Sequence, residues 1–356
     1  MRLAIAGGGT GGHVFPAMAV AREWLARGPE REVLLVGTER GMEARMVAEA
    51  GLPFASIPVA GLKGIGGLRL LRNLALLVPA ISESTSILER RRFTAAFGVG
   101  GYASGPFLLA AALAGVPTVI FEPNAEPGFT NRVLAGMARG VATAYQATAT
   151  RLGSRAVVTG IPVRAAFFQI APKPHVAPFR LLITGGIQGS LVINRAAIDS
   201  LDALLPQKNH LFVIHQSGER DYNAVRVAYA RREFNAEVVP FISNMAEEFA
   251  RADLIVCRAG AITAAEVAAA GRAAIFIPFG AATDSHQLRN AQALESAGAA
   301  RVIPEPQLSP KRLVEEISSL LEHPERMEEM EHRARALAHP RAVADIVNLI
   351  EEVARP

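Results

Sequence analysis

A chain of 356 residues that is 50% hydrophobic and 20% charged is too long for one ordinary doubly wound domain and suits two, each with a sizeable core. A net charge of only +4, with 6% aromatics and no basic run interleaved with them, excludes a nucleic-acid partner. The single cysteine, Cys257, excludes an internal disulfide and fits a reducing compartment.

The chain enters a strand at once, over residues 2–6, with no apolar signal segment and cleavage site before it, so a cytoplasmic protein is expected. That strand runs into Gly7-Gly8-Gly9-Thr10-Gly11-Gly12-His13 and a helix at about 15–27. Further strands read at 33–37, 54–58, 94–99, 117–121, 140–143 and 156–159, with helices at about 41–50, 69–90, 105–114 and 128–137. Apolar runs alternating with helical segments predict an α/β, doubly wound parallel sheet with helices on both faces. The uncharged stretch 98–121 is cut by Gly100, Gly101, Gly105, Pro106, Gly115 and Pro117, so it reads as strand, turn, helix and strand rather than a membrane span.

The stretch from Gly160 through Pro162, Pro172, Pro174 and Pro178 reads as an interdomain linker. A second alternation starts at Phe179, with strands near 211–215, 236–240, 253–257, 273–277 and 300–303, and a helical, charged end at 309–355. Its first strand runs into a second glycine turn, Gly185-Gly186-Ile187-Gln188-Gly189-Ser190, about 178 residues after the first. A glycine turn between a parallel strand and a helix lets backbone N–H groups close on an anion. Two in matching positions predict two similar domains facing one cleft, with a phosphate-bearing ligand between them, since ligands gather at the carboxyl ends of parallel strands. Residues 1–160 hold 16 Lys+Arg against 10 Asp+Glu and no aspartate, a net +6 that suits phosphate or a lipid surface.

Several segments carry candidate chemistry. The first turn formally matches the dinucleotide fingerprint G-x-G-x-x-G, with Glu39 as the ribose acid, so a nicotinamide or flavin oxidoreductase competes. Against it, His13 and Pro16 make a polar tip after the last glycine. A histidine at a helix N-terminus is held neutral by the helix dipole and suits a general base for a hydroxyl. A structural cap is the plainer alternative. Arg258-Ala-Gly260-Ala261-Ile262-Thr263-Ala-Ala-Glu266 opens a helix whose N–H groups can face a diphosphate, with Glu266 one turn on to accept from ribose hydroxyls. The polar loop after the strand near 273–277 contains Thr283, Asp284, Ser285, His286 and Gln287, suited to sugar hydroxyls or to a helix cap. The segment from Leu62 to Val78 mixes apolar residues with Lys63, Arg69 and Arg72, as an interfacial membrane patch does, or a core-facing helix with a basic edge. There is no Asp-x-Asp and no ligand-spaced His/Cys/Asp cluster, so no metal or other cofactor is expected.

Taken together, five motifs resemble the MurG family of bacterial transferases, which add N-acetylglucosamine to lipid I to make lipid II for peptidoglycan. They are 9–16 (Gly-Thr-Gly-Gly-His-Val-Phe-Pro), 98–106 (Gly-Val-Gly-Gly-Tyr-Ala-Ser-Gly-Pro), the second glycine turn, 258–266, and His286-Gln287-x-x-Asn290-Ala291. They occur in order and span nearly the whole chain. The resemblance implies a GT-B fold: an acceptor- and membrane-facing domain over 1–162, completed by a C-terminal helix at about 341–356, and a UDP-sugar domain over 163–340. It implies UDP-N-acetylglucosamine as donor, inverting transfer to the C4 hydroxyl of N-acetylmuramic acid in lipid I, and a peripheral location on the cytoplasmic face of the inner membrane, met through Leu62 to Val78.

By the same resemblance Arg164 and Ile242 border the nucleotide, and Gly260, Ala261, Ile262 and Thr263 face the diphosphate beside Arg258. Ile187 and Gln188 belong to the donor turn, Glu266 takes the ribose and Gln287 the sugar. Thr10, Gly11, Gly12, His13 and Asn124 line the reaction side, Gly100, Gly101, Tyr102 and Ser104 the acceptor side. His13 is the first candidate for the base and Glu122 the second. The chain departs from the family in Phe121-Glu122-Pro123-Asn124, where His-Glu-Gln-Asn is usual, in Ile187, where serine is usual, and in Cys257, where serine is common. Isoleucine offers no hydroxyl, so weaker donor binding is expected, with backbone N–H groups of Gly186, Gln188 and Gly189 still serving. Alternatives that stay open are a related transferase with another nucleotide sugar or acceptor, a catalytically weak scaffold for wall-synthesis proteins, and the oxidoreductase.

Overall fold

A computed structural model describes residues 1–8, 11–39, 42–60, 67, 73, 75–280 and 285–355. The chain forms two compact units, Met1–Pro162 with Arg341–Pro356, and Val163–Pro340.

Unit 1 contains strands β1 Arg2–Ala6, β2 Glu32–Gly37, β3 Phe54–Ser56, β4 Ala95–Gly98, β5 Thr118–Glu122, β6 Gly140–Thr143 and β7 Ala156–Val158. They form one parallel sheet in the order β3-β2-β1-β4-β5-β6-β7. Its helices among the described residues include α1 Gly11–Ala26, α2 Met42–Glu49, α3 Leu77–Arg91, α4 Ser104–Leu113, α5 Phe129–Ala135 and α6 Gln146–Leu152. The central strands are short unbroken apolar runs because helices cover both of their faces. Ala4, Ala6, Leu34, Val36, Ala96 and Ile120 pack on one face against Ile87 and Leu88 of α3 and Phe107 and Leu108 of α4. Small side chains on the strands let the bulky helix residues approach closely.

The C-terminal helix, Ala342–Ala354, also belongs to unit 1. It buries Ile346, Val347 and Ile350. Arg27, just after α1, donates to Asn348 Oδ1 at 2.8 Å and pairs with Glu351 at 3.1 Å, and Arg31 pairs with the same carboxylate at 2.6 Å.

Unit 2 contains β8 Phe179–Thr184, β9 Leu211–Gln216, β10 Ala236–Val239, β11 Leu254–Cys257, β12 Ala273–Phe276 and β13 Arg301–Val302, parallel in the order β10-β9-β8-β11-β12-β13. Its helices are α7 Ala165–Phe168, α8 Leu191–Leu204, α9 Tyr222–Arg231, α10 Met245–Arg251, α11 Ala261–Ala270, α12 His286–Ser296, α13 Pro310–Leu321 and α14 Pro324–Ala336. The strand side chains alternate between two cores, as the two-residue period demands. Leu181, Ile183, Leu254 and Val256 pack with Ile193 and Leu201 of α8 and with Leu313 and Ile317 of α13. Leu182, Ile255, Cys257 and Phe276 pack on the other side with Phe249, Val267 and Leu294.

The elements read from the sequence fall within a few residues of these. The first helix begins at Gly11 rather than 15, since the two glycines are already helical despite their poor propensity. The predicted 69–90 helix corresponds to α3, and much of the segment before it lies outside the described residues. The uncharged stretch 98–121 divides into the end of β4, then α4, then β5. Among the described residues no helix is long and apolar enough to cross a membrane.

One expectation is corrected. The proline-rich stretch after Pro162 is not an open linker but a strap packed onto unit 2. Phe167 is fully buried with its ring edge-on to Phe249, centroids 5.1 Å apart, and Ile170 is buried near it. Prolines suit an extended strap as well as a linker, and the apolar Phe167, Phe168 and Ile170 among them are what tell the two apart.

The strap ends in a buried charge cluster. His175 Nδ1 bonds Asp253 Oδ1 at 2.8 Å, its Nε2 lies 3.4 Å from Glu331, and neither nitrogen reaches solvent. Lys173 pairs with Asp253 at 2.8 Å, and Arg272 lies 3.7 Å from Glu331. Burial pulls the His175 imidazolium down, but the hydrogen bonds and charges of Asp253 and Glu331 outweigh it and push its pKa up to about 9. The folded form therefore holds a proton that the unfolded chain, with a pKa near 6.5, gives up first. The stability this confers is complete below about pH 6.5 and is lost as pH rises through about 9, on the order of 3 kcal/mol in all. Thermal midpoints measured from pH 6 to 10 should fall steeply in the native chain. In a His175→Gln variant they should start lower and fall less; identical slopes would remove this account.

Candidate active site

In a doubly wound sheet the strand order reverses at one point, and the loops beyond the carboxyl ends of the two strands there form a crevice. In unit 1 those strands are β1 and β4, and in unit 2 they are β8 and β11. Most of the described residues singled out from the sequence sit on these loops or on those beside them, while Ile242 follows β10 and Arg164 lies in the strap after Pro162.

In unit 1 the turn after β1 and the turn after β4 interlock through their glycines. A Cβ at Gly7 would lie 2.1 Å from Val99 Cγ2, and one at Gly101 would lie 1.9 Å from the Gly8 carbonyl oxygen. Gly101 also has φ +81°, a conformation that costs glycine little. Gly11 and Gly12 open α1 and His13 is its third residue, half-buried. Its ring lies against Gly100, where an added Cβ would come within 3.0 Å of Cδ2 and Nε2. Tyr102 is half exposed beside it. Thr10 lies outside the described residues. Ser104, expected on the acceptor side, is buried, and its hydroxyl points at Gly98 rather than outward.

Glu122, at the end of β5, is also buried. Its Oε1 accepts from the Asn124 N–H and from Asn124 Nδ2, both at 3.0 Å. Its Oε2 accepts from the Gly128 N–H at 2.9 Å and from Asn131 Nδ2 at 2.8 Å. Four donors saturate a carboxylate, so Glu122 shapes the turn that carries Asn124 rather than facing a substrate proton. Phe121 is buried in the core with its ring 6.3 Å from that of Phe97. Its side chain lines no ligand surface. Asn131 was not singled out from the sequence; nothing in its local pattern signals a bond nine residues back.

In unit 2 the turn after β8 is built the same way. A Cβ at Gly189 (φ +74°) would lie 1.9 Å from the Ser217 carbonyl oxygen, and one at Gly218 would lie 2.1 Å from that of Gln188. Asn194 Nδ2 donates to Ser217 O at 2.9 Å, and His215 Nε2 bonds Asn194 Oδ1 at 3.0 Å. Burial lowers the His215 pKa to about 3, so the ring is neutral and Nε2–H is the donor. The expectation for the N–H groups of this turn needs correcting. The Gly186 N–H donates to Thr184 Oγ1 at 3.2 Å and the Gly189 N–H to Gly186 O at 2.8 Å, so both are spent on the turn. Among the described residues the N–H groups of Ile187 and Gln188 remain for an anion. Ile187 itself is 58% exposed.

Gly260 precedes α11, whose first-turn N–H groups at Ala261, Ile262 and Thr263 have no partner within the helix. Glu266, one turn on, pairs with Arg164 Nη2 at 3.1 Å. Burial raises the Glu266 pKa against the opposing pull of Arg164. Ile242 is half-buried against the apolar cluster that contains Phe249 and Ala264. Gln287 Oε1 accepts from the Phe279 N–H at 3.0 Å, and residues 281–284 lie outside the described residues. Arg258, expected on the ligand, donates instead to Ile277 O, Glu305 Oε2 and Ser190 Oγ at 3.1, 2.6 and 2.7 Å. Cys257 is fully buried, and burial, with the charge of Glu266, pushes its thiol up, which leaves it inert.

Comparison with known proteins settles the family. The glycosyltransferase family 28 N-terminal domain matches residues 3–143 and the family's C-terminal domain matches residues 180–347. A UDP-N-acetylglucosamine–N-acetylmuramyl-(pentapeptide) pyrophosphoryl-undecaprenol N-acetylglucosamine transferase from Myxococcus xanthus (strain DK1622) is 44% identical, over 98% of this chain and 92% of that protein. The protein of the same name from Anaeromyxobacter sp. (strain Fw109-5) is also 44% identical, over 100% and 94%. The crystal structure of Acinetobacter baumannii MurG superposes with a TM-score of 0.83 at 34% identity, covering 99% of both chains. With two doubly wound sheets of this order, near-complete coverage and identity of this level, the chain belongs to the MurG family within glycosyltransferase family 28, and its fold is GT-B.

Proposed function

We propose that the chain transfers N-acetylglucosamine from UDP-N-acetylglucosamine to lipid I, giving lipid II for peptidoglycan synthesis. The observation that carries this reading is 44% identity over 98% of the chain to a relative named for that reaction. The acceptor's C4 hydroxyl oxygen attacks the anomeric carbon, inverting it. The bond from that carbon to the diphosphate oxygen breaks with its electron pair, and UDP leaves. The hydroxyl proton passes to His13. The leaving diphosphate rests on the first-turn N–H groups of α11 and on those of Ile187 and Gln188, which act in place of a metal. Glu266 and Arg164 flank the ribose as an ion pair, and Ile242 gives the base an apolar neighbour. Gln287 and Asn124 read the sugars. Unit 1 takes the acceptor and unit 2 the donor.

Because lipid I is anchored in the membrane, the chain works as a peripheral protein at the inner face of that membrane. Most of the patch from Leu62 to Val78 lies outside the described residues. Support comes from Val78, Leu113, Phe129, Val133 and Met137 of unit 1, all large, apolar and exposed. Phe129 and Val133 stand one turn apart on α5.

The test is UDP release from UDP-N-acetylglucosamine with and without a soluble lipid I analogue. Release that depends on the acceptor supports the reading. UDP binding without release points to another acceptor or to a scaffold for wall-synthesis proteins, and absence of UDP binding refutes the donor site. A second measurement concerns Ile187. An Ile187→Ser variant adds a hydroxyl where this reading puts the donor phosphate, and its donor KM should fall about tenfold, the worth of one hydrogen bond to a charged group. The exposed position should leave stability unchanged. An unaltered KM would place the turn away from the phosphate.

A further inference from the structure

We propose that Glu305 is a positioning residue for the donor site, acting through Arg258 and the Gly280 N–H to hold three ligand-facing loops in fixed register. The inference rests on the reading of unit 2 as the donor-binding unit. Glu305 lies in the short turn that follows β13, and it was not a candidate from the sequence. Its Oε2 accepts from Arg258 Nη1 at 2.6 Å and from the Gly280 N–H at 3.2 Å. The same guanidinium donates to Ile277 O at 3.1 Å and, through Nη2, to Ser190 Oγ at 2.7 Å. It also lies over the Phe279 ring, with Cζ 5.2 Å from the centroid.

One ion pair therefore fastens the end of the turn after β8, the start of the turn after β11 and the loop after β12. Those three loops carry Ile187 and Gln188, the N-terminus of α11, and the approach to Gln287. The Ser190 hydroxyl caps α8 by accepting from the Ile193 N–H at 3.4 Å. Arg258 thus braces a helix cap on one side and a strand end on the other. Only a planar guanidinium offers donors in enough directions for this; a lysine ammonium is a single point with no fork. The pair is shielded, with side chains 12% and 21% exposed, so water competes weakly for it. Glu305 keeps the guanidinium in one place, and Arg258 stands two residues before Gly260, so the direction of the α11 N–H groups depends on it.

The experiment compares Glu305→Ala, Glu305→Gln, Arg258→Lys and the Arg258→Lys/Glu305→Ala double variant of the full chain. It reads UDP binding by calorimetry, KM for donor and for acceptor analogue, and the thermal midpoint. Glu305→Ala should raise donor KM about tenfold, the scale of one charge-assisted hydrogen bond, with the acceptor KM unchanged. Glu305→Gln keeps an acceptor for the Gly280 N–H and should lose less. The double variant should fall short of the sum of the two single effects, because the two residues share one ion pair, while the bond to the Gly280 N–H keeps it worse than Arg258→Lys alone. An unchanged or lowered donor KM in Glu305→Ala overturns the inference, as do additive effects in the double variant. A parallel loss of midpoint and both KM values also overturns it, in favour of a general role in folding. Failure of the unaltered chain to bind UDP would instead refute the donor site, and the positioning role with it.

Discussion

Replacing His13 by alanine should lower kcat by about 10²- to 10⁴-fold and leave the affinity for UDP unchanged. The reacting hydroxyl must lose its proton as its oxygen bonds to carbon, and a positioned imidazole can take it. His13, the proposed base, stands in the first turn of α1 with its ring against Gly100. The α1 N-terminus and Gly100 both belong to unit 1, so UDP affinity is expected to stay as it is. A Gly100→Ala variant makes the complementary test. Its Cβ would push on the ring at 3.0 Å and would sit at φ +93°, so kcat should fall in the same sense but by less. Rapid-quench measurement of transfer, with calorimetry for UDP, separates the two quantities. Equal loss of turnover and UDP affinity in His13→Ala would end the base assignment.

Replacing Glu122 by alanine should cost stability on the order of 3–5 kcal/mol. Its carboxylate receives four hydrogen bonds from three residues while almost wholly buried. Removing it takes the acceptor from the N–H groups of Asn124 and Gly128 and from the Asn124 amide, and leaves the Asn131 amide only its bond to the Phe121 carbonyl oxygen at 3.0 Å. Glu122→Gln is nearly as unfavourable, because the new amide nitrogen meets donors with a donor. The fraction of either variant that folds should keep the pH dependence of kcat if, as proposed, the proton goes to His13. Denaturant melts give the first quantity and a pH–rate profile the second. A stable Glu122→Gln protein lacking one limb of the profile would restore Glu122 as the base.

The alternation of apolar strands and helices was legible because parallel strands, buried on both faces, must be unbroken apolar runs. The glycine turns were legible because backbone packed on backbone leaves no room for a Cβ, as at Gly101 and Gly189. The side-chain pairings that brace the site were not. Arg258 and Glu305 are 47 residues apart, and the His175–Glu331 contact spans more than half of unit 2. No local period encodes such partners, so Arg258 read as a ligand residue and Glu305 as nothing in particular. Ser104 and Phe121 misled for a related reason. Each lies in a motif that faces the crevice, yet strand and helix geometry turns its side chain inward.

The return of the last helix to unit 1 bears on how the chain is made. Ribosomal synthesis delivers β1 before unit 2 and Ala342–Ala354 after it, so unit 1 begins to emerge before unit 2 and is completed after it. Until the final residues arrive, Arg27 and Arg31 lack Glu351, and the apolar surface meant for Ile346, Val347 and Ile350 stays open. Unit 2, encoded without interruption from Val163 to Pro340, can close beforehand. A nascent chain stalled just past Pro340 should therefore carry a protease-resistant second half and a first half that chaperones still recognise.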